Sequence, residues 1–126
     1  MRLLILMLLL APISLLAQSS YTAVTAAVGK GDLKAVSQFL DKNVEISLMD
    51  KEDIYSKEKA TKILALFFSK NKPRSFKEVH KGTSRGNDSQ YCIGNLATST
   101  KTFRVYIYMK STAGKIAIKE LRFDEE

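Results

Sequence analysis

Phe103-Arg104-Val105-Tyr106-Ile107-Tyr108-Met109-Lys110 alternates apolar with polar or amphipathic residues along its whole length. Successive side chains of a strand point to opposite faces. Phe103, Val105, Ile107 and Met109 are therefore expected to meet a core, and Arg104, Tyr106, Tyr108 and Lys110 to stand on the other face. Similar β-favouring stretches flank this one, at Ser75 to Gly82, Ser89 to Thr98 and Lys115 to Phe123. Between them lie the turn residues Gly86-Asn87-Asp88, Ser99-Thr100-Lys101 and Ser111-Thr112-Ala113-Gly114. Connections this short join antiparallel neighbours, so the C-terminal half reads as a four-stranded meander. In the last stretch Ile116 and Ile118 fall out of phase with Leu121 and Phe123, which predicts a bulge near Lys119-Glu120 and a sheet that curls.

Working upstream, the period changes to that of a helix. After Ser56, a good N-cap, Ala60, Ile63, Leu64, Phe67 and Phe68 form one apolar stripe, and Glu58 sits in the first turn where the helix dipole favours a carboxylate. Pro73 restricts Lys72, so this helix should finish near Ser69 or Lys70. Val44, Ile46 and Leu48 alternate with Glu45 and Ser47 as a short strand, and Asp50-Lys51-Glu52-Asp53 reads as the turn after it. Further back, Tyr21, Val24 and Val28 share a helical face that ends at Gly29-Lys30-Gly31. Asp32 then caps a second helix carrying Leu33, Val36, Phe39 and Leu40. The fold class is α+β, with N-terminal helices packed on a curled antiparallel sheet.

Met1-Arg2 and the apolar run Leu3 to Leu16 have the layout of a secretory signal. That run is shorter than the roughly 20 residues a membrane-spanning helix needs, and Gln18-Ser19-Ser20 follows it in place of a positive flank. The expected organisation is a signal peptide over residues 1–17 and a single domain over residues 18–126, with cleavage after Ala17, or after Ser19 as the alternative. No cysteine follows the run to carry a lipid anchor, so the mature chain is expected to be periplasmic or secreted and not membrane-spanning. Loss of Arg2 lowers the formal charge from +7 to +6, with 19 basic residues against 13 acidic. Such a surface suits nucleic acid or another anionic partner, and export removes nucleic acid from the choice. The single Cys92 excludes an intramolecular disulfide, and the single His80 excludes a histidine-cluster metal site. No cofactor is expected.

The run Phe67-Phe68-Ser69-Lys70-Asn71-Lys72-Pro73-Arg74-Ser75-Phe76, with His80-Lys81-Gly82, Tyr91-Cys92-Ile93-Gly94-Asn95-Leu96 and Phe103-Arg104-Val105-Tyr106-Ile107, resembles a family of small exported bacterial proteins of unknown function from Bacteroides-type bacteria. The resemblance spans nearly all of the chain after the leader, including Gly31-Asp32, and implies an NTF2-like, cystatin-like cone. It implies no catalytic residues, and proteins of this fold serve as enzymes, carriers and dimeric adaptors.

Three groups of residues are candidates for function. His80 and Tyr91 would line the mouth of the cone, and regular alternation would put His80 on the face of Phe76 and Glu78. Lys70, Lys72, Arg74, Lys77, Lys81 and Arg85 fall within 16 residues opposed only by Glu78. They are candidates for an anionic glycan or lipid headgroup, Arg74 and Arg85 by bidentate contacts, or else a solvated edge. Arg104, Tyr106, Tyr108 and Lys110 form a row of the composition found at interfaces, suited to a homodimer or to ordinary cross-strand pairing. Two functional readings result. One is a non-enzymatic module of the cell envelope that binds a small ligand, a glycan or a protein. The other is a small hydrolase, isomerase or dehydratase with its site in the cone. An interior filled by Phe67, Phe68, Val105 and Ile107 would count against the second.

Overall fold

Gly31 sets the first corner of the chain. In the computed structural model, which describes residues 14–126, helix α1 (Ser14–Lys30) ends as Gly31 turns to φ 63°. The Gly31 amide donates to the Val28 carbonyl and the Asp32 amide to the Ala27 carbonyl, both at 3.0 Å, the paired closure of a Schellman motif. Asp32 at once caps α2 (Leu33–Phe39), its side chain accepting from the Ala35 amide at 3.3 Å. Most of the expected signal peptide, residues 1–13, lies outside the described residues.

Strand β1 (Leu40–Leu48) starts one residue after α2, so Leu40 belongs to the strand although its spacing suits the helix. The polar run expected as a turn is instead strand β2 (Lys51–Ser56). It pairs antiparallel with β1, Val44 opposite Tyr55 and Ile46 opposite Asp53, through a tight reversal in which Met49 takes φ 54°. Backbone pairing to β1 makes this strand; its own side chains are mostly exposed and give no period. Helix α3 (Lys57–Lys70) follows, with Ser56 accepting from the Lys59 amide at 3.3 Å and Glu58 in the first turn.

The meander is β3 (Pro73–Thr83), β4 (Ser89–Thr98), β5 (Thr102–Thr112) and β6 (Lys115–Glu125), with a short 3-10 turn at Arg85–Asn87. The six-stranded sheet runs β2-β1-β6-β5-β4-β3, antiparallel except where β1 joins β6 in parallel. Tyr108 stands opposite Glu120 and Met109 opposite Ile118, which leaves Lys119 as the extra residue of the expected bulge.

One face of this sheet holds the core. Phe103, Val105, Ile107, Met109, Leu121 and Phe123 are at most 1% exposed, and α3 lays Ala60, Leu64, Phe67 and Phe68 on them. The Phe67 ring meets Phe103 at 5.1 Å and Phe123 at 4.7 Å, and Phe68 meets Phe123 at 5.9 Å. Each such side chain stabilises the fold by roughly 1.5–3 kcal/mol on burial. The interior of the cone is filled by these groups. Among the described residues the buried polar side chains are Ser47, Gln90 and Thr98. Each hydrogen-bonds nearby: Ser47 to the Met49 carbonyl, Thr98 to the Lys101 carbonyl, and Gln90 with Thr83.

Candidate functional site

Strand β3 carries the decisive irregularity. Glu78 stands opposite Gly94 and His80 opposite Ile93, so Val79 is an extra residue and every side chain after it changes face. His80 therefore leaves the face of Phe76 and Glu78. It joins Tyr91 on the outer side of the sheet, ring centroids 5.6 Å apart, and Tyr91 stacks on Tyr106 at 6.2 Å and 24°. Gly82 allows Tyr91 to lie flat, since a Cβ there would come within 2.3 Å of the ring. The placement of His80 and Tyr91 at the mouth of the cone is thus corrected: both stand outside it, in one aromatic row with Tyr106.

The row is flanked by charge. Tyr106 stands opposite Ile93 on one side and Arg122 on the other. Arg122 Nη2 donates to Glu52 Oε2 at 3.3 Å, and its Nε lies 3.6 Å from Glu120 Oε1. Burial, with Glu120 nearby, pushes the Tyr106 phenol up. Arg104 Nη2 donates to Glu126 Oε1 at 3.0 Å, while Lys77 and Lys110 have no ion-pair partner among the described residues. Glu45, Glu52 and Glu120 bring carboxylate oxygens within 4.8 Å of one another, an arrangement a cation could use, although Arg122 already supplies positive charge to two of them. A hydrogen bond with Glu52 is the main cause that holds the Glu45 carboxyl above its usual range. The sequence hides this trio because Glu52 reads as part of a turn and Glu120 lies far along the chain from the hairpin that carries Glu45 and Glu52. Tyr108 and Lys110 stand on the same face as Arg104 and Tyr106, as alternation predicts.

The basic cluster does not converge. Lys70 ends α3, Lys72 lies in the connection, and Arg74 is the extra residue of a second bulge in β3. Lys77 stands opposite Asn95, Lys81 opposite Cys92, and Arg85 lies in the 3-10 turn. At about 3.3 Å per strand residue Arg74 and Arg85 stand about 30 Å apart, so one anion cannot be clamped by both. Arg74 instead lines a groove of about 610 Å³ with Lys30, Phe76 and Glu78, where α1 crosses β3.

Cys92 is buried, its Sγ 3.6 Å from Glu78 Oε1, and burial first, then Glu78, pushes the thiol up to about 12. With His80 on the other face no imidazole stands beside it, so the geometry holds no cysteine–histidine nucleophile.

The profile of a family described as a domain of unknown function, DUF4783, matches residues 21–124. The chain belongs to the DUF4783 family. A DUF4783 protein from Bacteroides ovatus is similar at 29% identity and a TM-score of 0.76, covering 82% of this chain and 93% of that one. One from Bacteroides uniformis is similar at 28% identity and 0.77, covering 83% and 95%. The resemblance read from the sequence is therefore met. A de novo designed protein with a curved β-sheet aligns at 0.72 with 18% identity, covering 86% and 98%. A design named Rd1NTF2_04 with long sheet aligns at 0.64 with 17% identity, covering 85% and 98%. These designs share the fold alone, and that fold is NTF2-like. No curated protein matches the chain. Among the described residues no helix is long and apolar enough to cross a membrane.

Proposed function

We propose that this DUF4783 chain is an exported, non-enzymatic interaction module, and that two copies pair through the outer sheet face. The observation that carries the reading is the His80–Tyr91–Tyr106 row, with both tyrosine rings partly buried, on a face that no described element covers. Flat tyrosines flanked by arginines give large contact area at little conformational cost. Charge supports a two-fold pairing. Lys77 and Lys110 lie on β3 and β5, while Glu45, Glu52 and Glu120 lie on β1, β2 and β6. An axis near the tyrosines would bring the lysines of one copy toward the carboxylates of the other. The filled interior supports a module that works from its surface instead of an enzyme with a site in the cone.

Expression with its own leader tests the export. A soluble product whose mass corresponds to cleavage after Ala17 or Ser19 is expected, and full-length mass would overturn it. Sedimentation equilibrium of the same product tests the pairing. A dimer that Tyr106→Glu weakens at least tenfold is expected, and a monomer at millimolar concentration would overturn the pairing.

A further inference from the structure

Four large apolar side chains stay exposed among the described residues, and two of them, Met49 at 37% and Leu66 at 58%, line one groove. It has a volume of about 510 Å³ and lies where the second half of α3 meets the β1–β2 and β4–β5 turns. Leu48, Ile63, Phe67 and Phe103 supply the rest of its apolar lining. A cleft of this size and lining is what an apolar ligand needs, and the exposed Met49 and Leu66 are apolar surface left without an internal partner.

The polar groups say which head such a ligand carries. Thr100 and Asn71 are already engaged: the Thr100 hydroxyl donates to Asn71 Oδ1 at 2.5 Å, and Asn71 Nδ2 donates to the Phe67 carbonyl at 3.0 Å. Lys101 is held by Glu125 at 2.8 Å in an exposed pair. Lys70 lines the same groove and has no ion-pair partner among the described residues. The uncommitted polar group is thus a cation beside an apolar cleft. We infer that the groove binds a single-chain carboxylate amphiphile. Its chain lies over Phe67 and Phe103 between Met49 and Leu66, and its carboxylate meets Lys70. The filled core closes the way inward, so the chain that fits is of medium length. The groove lies on the α3 side of the sheet, so this inference stands apart from the pairing of outer faces.

Decanoate, titrated calorimetrically below its micelle concentration into residues 18–126, tests the inference; every described core residue lies within 21–123, so this part retains the core. One saturable site is expected, weakened at least tenfold by Leu66→Glu and about threefold by Lys70→Glu. Both positions are exposed, and unchanged circular dichroism confirms folding. Decyltrimethylammonium should bind more weakly than decanoate. Absence of saturation, equal affinity for both head groups, or binding that neither variant changes would overturn it. So would a Leu66→Glu effect confined to self-association, which would make the groove a contact between copies.

Discussion

Phe76 shows how single residues fix the seam between α1 and the sheet. Its ring lies between two glycines: a Cβ on Gly29 would come within 2.6 Å of Phe76 Cβ, and one on Gly94 within 2.3 Å of the ring tip. Glycine at these two points is a packing requirement, since neither residue has a positive φ. Gly94→Ala should therefore destabilise the fold by about 1–3 kcal/mol through overpacking. In a Phe76→Leu background, which removes the ring tip, part of that cost should disappear, while the approach of the new Cβ to the Lys77 carbonyl oxygen at 2.9 Å keeps the rest. Urea unfolding of the four proteins measures the coupling, and strictly additive costs would contradict the clasp.

Among the elements, β6 carries the bulge that bends the sheet, and an ion pair fastens it. Lys119, the extra residue, donates to Asp41 Oδ2 at 2.7 Å. That hydrogen bond is the main cause lowering the Asp41 carboxyl below its ordinary 3.8. A lowered folded value means the contribution is complete above that ordinary value and is lost as pH falls through and below it. The side chains are 39% and 32% exposed, so the pair is worth only about 0.5 kcal/mol. Asp41→Asn should cost about that amount at pH 7 and less at pH 3, where the wild-type carboxylate is giving up its charge, read from urea midpoints; an equal deficit at both would contradict the role of charge.

The bulge at Lys119 was legible because both faces of β6 carry a phase: Ile116 and Ile118 point one way and Leu121 and Phe123 another. The bulge at Val79 was not, because β3 is an edge strand with eight exposed residues and has no apolar phase to break. That one residue moved His80 from the core face to the outer face and changed the meaning of the only histidine. Strand β2 escaped for a related reason: Lys51, Glu52 and Asp53 look like a turn until β1 offers them a ladder. Interior elements announce themselves through burial, whereas edges are decided by their neighbours.

At the scale of the molecule, the stacking of helices against a curved sheet leaves two kinds of surface. The inner face is spent on the packed cone, and the outer face presents tyrosines and opposed charges with nothing described above it. The fold and the family could be read from alternation, capping and a few motif residues. The working surface could be read only in part. Arg104, Tyr106, Tyr108 and Lys110 share a strand and declared their common face, whereas Tyr91, Arg122 and the Glu45–Glu52–Glu120 trio come together only through strand order.

The most direct test of the central claim is a dilution series of amide nuclear magnetic resonance spectra on the mature chain. If copies pair through the outer face, the amides that shift on dilution should cluster at His80, Tyr91, Ile93, Tyr106 and Arg122, with those around Leu66 unmoved. Spectra independent of concentration, or shifts confined to the α3 groove, would contradict it.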